Sequence, residues 1–272
     1  MKRALFISKN LIGDALNISP ALRAWHAGHQ DWKISLLTLP DQVAPLYYRM
    51  GVPLTVVTEN QEPEFDFIFN FHCGVAFAIG QRFGMHITQC YGQMLGVEIE
   101  SRCPVYEPLE EDHEVDLVLV SLFSKSCSSQ KGGQPPNKML PWDKAAKLIE
   151  MLRQVGKIGI LAADDDDRVP IFRDSRYNIV ENEYYRGLSL NKVALMLRDC
   201  KMLLTIDNGI AHLAATQQTR SLVLYPACLS QTWIAPIGNK NATIVQMNPV
   251  TVPLIGLMHL LRETAVKWGI LE

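Results

Sequence analysis

The stretch KMLLTIDNGIAHLAATQQTRSLVLYP, residues 201–226, decides the fold. KMLLTI is an apolar run that stops at Asp207, Asn208 and Gly209. NGIAHLAATQQ then reads as a helix, and RSLVLYP is a second apolar run. Neither run alternates apolar with polar residues, so each reads as a strand buried on both faces. Two such strands joined by a helix make a parallel crossover unit, and ligands of parallel sheets bind outside the carboxyl ends of their strands. The acid, amide, glycine and histidine gathered at this junction are therefore either a helix cap or a ligand site at the mouth of a sheet.

The same grammar extends in both directions. In the first half, ALFIS (4–8), KISLLTL (33–39), LTVVT and FDFIFNF read as strands. SPALRAWHAG (19–28), with Pro20 in its first turn, and DQVAPLYYRMG (41–51) read as helices. The polar, acidic stretch VYEPLEEDHE (105–114) reads as a linker, after which the pattern restarts. VDLVLVSLF and KIGILAA are strands, and WDKAAKLIEMLRQVG and LSLNKVALMLRDC are helices. The expectation is an α/β chain of two doubly wound, Rossmann-like domains, residues 1–108 and 109–272. The last helix, VPLIGLMHLLRETAVKWG (252–269), either stays with the second half or crosses back to the first.

Composition excludes several function classes. The 272 residues carry 26 basic and 28 acidic side chains, which leaves no electrostatic footprint for nucleic acid. Six cysteines are scattered without C-x-x-C pairs and read as reduced thiols of a cytoplasmic protein. No apolar run approaches the length of a membrane span.

Four stretches fall at strand-to-helix junctions. SKNLIGDALNISPALRA (8–24) places Gly13 and Asp14 in the loop after the first strand, where Gly13 permits close backbone approach. Asp14 either caps the following helix or accepts a proton from a hydroxyl. At the opening stretch, the amides of Asn208, Gly209 and Ile210 begin a helix and suit a phosphate. Asp207 repels phosphate and suits a cap or a sugar hydroxyl instead. His212 falls off the apolar stripe, and it is either simply exposed or, grouped with Asp207, Asn208 and Gly209, part of a ligand site. In NKMLPWDKAAKLIE (137–150), Lys138 is either a surface lysine or a point charge on a diphosphate. ADDDDRV (163–169) carries consecutive acids whose side chains diverge, so it reads as a solvated turn and no metal site is expected. One of its acids, Asp164, remains a candidate for a ribose. His72 and His86 have no partner at nucleophile or metal spacing and are read as structural.

Taken in order, these four stretches resemble glycosyltransferase family 9, the ADP-heptose:lipopolysaccharide heptosyltransferases. The matching pieces are GDALNISPALRA, the Lys138-x-x-Pro141-Trp142 run, the acidic turn and DNGIAHLAA. The resemblance implies a GT-B architecture, two Rossmann-like domains facing across a cleft, acceptor side first and donor side second. It implies an inverting, metal-independent transfer, needing no cofactor, of a heptose-like sugar. The donor is a nucleotide diphosphate sugar, ADP-heptose or similar, and the acceptor a lipopolysaccharide-type glycan or glycolipid. It further implies Asp14 as general base. Gly13, Lys138, Asp207, Asn208, Gly209 and His212 would contact the donor diphosphate and sugar, and Gly187, Leu188 and Asp164 the nucleoside. Peripheral contact with the inner face of a bacterial membrane is compatible with such an acceptor.

Asn208 stands where the family usually has Thr or Ser, replacing a hydroxyl by an amide. The loop 124–138 is longer than the usual connection, and the chain is short for the family. A sugar-nucleotide epimerase of the same fold and a nucleotide-sugar-binding protein without turnover are the alternative readings.

Overall fold

The computed structural model describes residues 1–9, 11–38, 43–57, 64–122, 140–162, 183–227, 235, 236, 238–248 and 251–271; of Trp142 it describes the backbone alone. The chain divides into two compact units, Met1–Pro108 with Ser230–Asn239, and Leu109–Leu229 with Lys240–Glu272. The short excursion at 230–239, assigned by the sequence pattern to the second half, thus belongs to the first unit. Two contacts hold it there. The Ala235 carbonyl lies 2.9 Å from His86 Nε2, and Gly238 packs so tightly that a Cβ there would come within 2.6 Å of Cys103.

The first unit is built on a four-stranded parallel sheet, ordered β3-β2-β1-β4, of β1 (Arg3–Ser8), β2 (Lys33–Thr38), β3 (Leu54–Val57) and β4 (Phe67–Phe71). Its helices are α1 (Ile12–Ala27), α2 (Ala44–Tyr47), α3 (Cys73–Phe83) and α4 (Ile87–Leu95). The core gathers Phe6, Leu16, Ile18, Leu22, Ile34, Leu36, Leu46, Phe71 and Tyr91.

Helix α1 begins seven residues before the expected SPALRAWHAG start and carries Pro20 in its interior. Proline supplies no N–H to the carbonyl four residues back. That carbonyl, on Leu16, instead accepts the Ser19 hydroxyl at 2.7 Å. The helix survives because Ala15, Leu16, Ile18, Ala21, Leu22 and Trp25 are all buried along it, and apolar burial of that extent outweighs one lost ladder bond. Helices α3 and α4 occupy a stretch, 73–95, to which the sequence pattern assigns no element.

The second unit holds a six-stranded parallel sheet, ordered β10-β9-β8-β5-β6-β7. Its strands are β5 (Val118–Ser121), β6 (Ile158–Ala162), β7 (Tyr184–Arg186), β8 (Met202–Ile206), β9 (Ser221–Pro226) and β10 (Ala242–Met247). Its helices are α5 (Trp142–Leu152), α6 (Leu190–Asp199), α7 (Gly209–Thr216) and α8 (Leu254–Lys267). The four central strands are buried almost throughout, as their uninterrupted apolar sequences require. Helix α8 packs on this unit, with Leu257 and Leu261 in one core with Leu148, Leu152, Leu222 and Leu224. Leu109 docks on α6, exchanging hydrogen bonds at 2.7 and 2.8 Å with the Asn191 side chain.

Candidate functional site

In an open parallel sheet the strand order reverses direction at one place, and the loops there diverge to leave room for a ligand. In the second unit β5, β6 and β7 follow one another outward, and β8 then returns to the other side of β5. The switch point lies between β5 and β8, whose last residues, Ser121 and Ile206, end next to one another, Ser121 in register with Thr205.

Asn208 bridges that point. Its Oδ1 accepts from the Ala211 amide at 3.0 Å, which makes Asn208 the N-cap of α7. Its Nδ2 donates to the Ser121 carbonyl and to the Ser121 hydroxyl, each at 3.1 Å. Thr205 Oγ1 donates to the same Ser121 carbonyl at 2.9 Å. Both amide hydrogens of Asn208 are thus committed inside the unit. Beside it, the junction presents the half-buried Gly209 and Ile210 at the positive end of α7. Asp207, just before the cap, is buried, and so is His212. Burial of His212 removes the reading of it as simply exposed. Ala211, Leu213, Ala214 and Ala215 are buried as well, so α7 has no solvent face on that turn for a histidine to occupy.

Gly187 and Leu188 lie at the carboxyl end of the edge strand β7. Gly187 adopts φ +60°, a left-handed conformation suited to glycine, and the chain then enters α6 at Ser189, whose hydroxyl accepts the Lys192 amide at 3.1 Å. Lys138 and Asp164 lie outside the described residues.

The first unit has its own switch point. From β1 the order runs outward through β2 and β3, and β4 then pairs on the other side of β1, with Ser8 in register with Phe71. Gly13 and Asp14 are in the first turn of α1 rather than in a loop, half-buried. The N-cap position is Leu11, without a side-chain cap bond, so Asp14 is not the capping residue. The tyrosines and thiol around it register its charge. Tyr47 donates to Ser8 Oγ at 2.5 Å, and its phenol is pushed up to about 12, mainly by burial, with the Asp14 charge adding to it. Burial, and after it the Asp14 charge, raises the Cys73 thiol. The buried Tyr91 phenol is raised by the same two causes. Ser8, Tyr47, Cys73 and Tyr91 escape sequence inspection because they come from four separate elements and form no motif. Ser121 escapes for the same reason.

Among the described residues, no three His, Cys, Asp or Glu side chains are grouped to hold a metal ion, and no helix is long and apolar enough to cross a membrane.

Comparison with known proteins adds the family. The model of glycosyltransferase family 9 (heptosyltransferase) matches residues 122–251. Comparison with curated proteins gives no match. Among solved structures, the ADP-heptose lipopolysaccharide heptosyltransferase II of E. coli superposes with a TM-score of 0.72 at 13% identity, covering 98% of this chain and 99% of that one. A family 9 glycosyl transferase from Veillonella parvula gives 0.71 at 14% identity, covering 98% and 97%. The E. coli heptosyltransferase WaaC, solved with ADP, gives 0.66 at 15% identity, covering 97% and 100%. Residues 122–251 form a glycosyltransferase family 9 domain, and the chain is a glycosyltransferase of GT-B fold.

Proposed function

We propose that this glycosyltransferase moves a heptose-like sugar from a nucleotide diphosphate donor to a hydroxyl of a lipopolysaccharide-type or other glycan acceptor, with inversion and without a metal. The observation that carries the reading is topological. Asp14 follows β1 at the switch point of one sheet, and Asp207 to Ile210 follow β8 at the switch point of the other. The nominated base and the nominated diphosphate contacts thus occupy the positions where doubly wound sheets hold ligands.

In the proposed reaction Asp14 takes the acceptor hydroxyl's proton as its oxygen bonds to the anomeric carbon. The bond from that carbon to the diphosphate breaks on the opposite side, and the electron pair leaves with the diphosphate. The amides at the start of α7 and Lys138 meet the added negative charge. Asp207 suits a sugar hydroxyl rather than phosphate. ADP as the nucleotide is favoured by WaaC, a structural neighbour solved with ADP and with ADP-2-deoxy-2-fluoro heptose.

The test is incubation of the full chain with labelled nucleotide sugars and deacylated lipopolysaccharide core, with and without chelator. Chelator-resistant release of ADP from ADP-heptose, with a product of inverted anomeric configuration, supports the reading. An isomerised donor instead indicates an epimerase, and binding without conversion a protein that has lost turnover.

A further inference from the structure

We infer that His72 binds the acceptor, its imidazole hydrogen-bonding a hydroxyl of the sugar that carries the attacking oxygen. The inference rests on the reading of Asp14 as the general base and of the first unit as the acceptor side.

Register puts His72 beside the chain that leads to Asp14. Ser8 ends β1 and is in register with Phe71, which ends β4. Lys9 and His72 are therefore the first residues past two adjacent parallel strands, at the point where the strand order of this sheet reverses. Asp14 follows shortly after Lys9, in the first turn of α1. Cys73, next to His72, has its thiol raised by burial and then by the Asp14 charge, so the start of α3 lies within electrostatic reach of that carboxylate. Ligands of parallel sheets sit at this edge, and both residues are placed to meet the same one.

Histidine stands at the N-cap position of both α3 and α4, and the two rings are used differently. His86 is buried, and its Nδ1 accepts the Thr88 amide at 3.2 Å, which leaves Nε2 as the donor to the Ala235 carbonyl at 2.9 Å. Both of its nitrogens hold the fold, in keeping with the structural role expected of it. His72 is exposed and makes no side-chain cap bond to α3, so the structural reading does not extend to it. Its ring is nevertheless placed. A Cβ on Gly74 would come within 3.2 Å of the ring Cε1 and 3.3 Å of Nδ1, so the imidazole lies over the first turn of α3, where glycine leaves it room. A neutral imidazole offers one donor and one acceptor, and a sugar hydroxyl both donates and accepts. An exposed imidazole held in this way beside the base suits a polyhydroxyl acceptor, while Asp14 takes the proton.

The test is steady-state kinetics of the full chain with ADP-heptose and deacylated lipopolysaccharide core, varying each in turn. In His72→Ala the KM for the core should rise by about three- to tenfold, the worth of one hydrogen bond, with the ADP-heptose KM and the thermal midpoint unmoved. Gly74→Ala, whose methyl displaces the ring, should raise the core KM by a smaller factor and add nothing in the His72→Ala background. A core KM that stays in place in His72→Ala overturns the inference. So do an equal rise in the ADP-heptose KM, a lowered thermal midpoint, and a Gly74→Ala effect that persists without the ring. Failure of the underlying reading shows separately, as near-parental turnover of Asp14→Asn or as no transfer to the core by the parent. In the second case calorimetry with the core in the presence of ADP decides. Weaker binding by His72→Ala than by the parent supports the inference, and equal binding, or none by the parent, overturns it.

Discussion

Asn208 reaches from the start of α7 to Ser121 at the end of β5, giving one amide hydrogen to its carbonyl and the other to its hydroxyl. The contact joins the two strands that flank the switch point of the six-stranded sheet. Asn208→Ala removes a helix cap and leaves buried Ser121 groups short of a donor. The expected cost is about 1–3 kcal/mol of stability, read as a lowered urea midpoint. ADP affinity should fall with it, because the helix start loses its anchor. Ser121→Ala, which forfeits one hydrogen bond only, should cost less on both scales. A drop in ADP affinity at unchanged stability would mean that the Asn208 amide faces the ligand.

Gly80 in α3 and Gly92 in α4 are close-approach positions. A Cβ on Gly80 would come within 2.8 Å of the Met85 carbonyl, and one on Gly92 within 2.6 Å of the Ile99 side chain. Backbone cannot yield as the tip of a side chain does. Gly80→Ala is therefore expected to cost about 1–3 kcal/mol, and Gly92→Ala less, since Ile99 can rotate. Urea unfolding of the two variants checks the order.

These glycines also show why part of the fold was not legible. Glycine inside a helical pattern argues against a helix, so 73–95 gave no clear signal, although α3 and α4 need glycine there to pack. Pro20 misplaced the start of α1 because the Ser19 hydroxyl that compensates for it cannot be foreseen from spacing. The uninterrupted apolar runs, by contrast, identified β1, β2, β5, β6, β8 and β9, since a strand buried on both faces has little other composition available to it. At the site, DNG marked the right junction. The inward turn of the Asn208 amide depends on Ser121, 87 residues away, and no local pattern encodes it. The burial of His212 likewise reflects what surrounds α7 rather than the helix's own periodicity.

The acidic linker predicts a pH window. His113 Nδ1 lies 2.9 Å from the Glu111 carbonyl, and its Nε2 lies 2.8 Å from the Asp199 carboxylate. Both neighbours are acceptors, so the protonated ring satisfies both. The Glu111 carbonyl and, after it, Asp199 raise the imidazole against the opposing effect of burial. Arg198 chiefly, with His113, holds Asp199 below the usual carboxylate range. A raised histidine contributes stability that is complete below its unfolded pKa and is lost as pH rises through the folded one. A depressed aspartate contributes stability that is present above its unfolded pKa and is lost as pH falls through the folded one. Linker docking should therefore be firmest on the acid side of neutrality. Hydrogen exchange at residues 110–114, corrected for intrinsic rates, should show protection falling as pH rises through the His113 titration and again in strong acid. In His113→Gln the first of these losses should disappear.

Asp14 gives the sharpest test of mechanism. It is in the first turn of α1 but is not the capping residue, and the interaction of a carboxylate with the helix start is worth about 0.3–1 kcal/mol. Asp14→Asn preserves size and hydrogen-bonding oxygen and discards the charge, and the protein should still fold. Donor binding should be largely retained, because all the nominated donor contacts except Gly13 are assigned to the second unit. Turnover on ADP-heptose should fall by about two to four orders of magnitude, the usual contribution of a positioned acid or base. The surviving rate should lose the acid limb of its pH dependence, since that limb reports the ionisation of the missing carboxylate. Calorimetry with ADP, thermal unfolding and a pH series of initial rates separate these quantities. A variant that binds ADP and folds as the parent does, yet transfers sugar at the parental rate, assigns the proton to another group, and the histidines His72 and His212 are then the next substitutions to make.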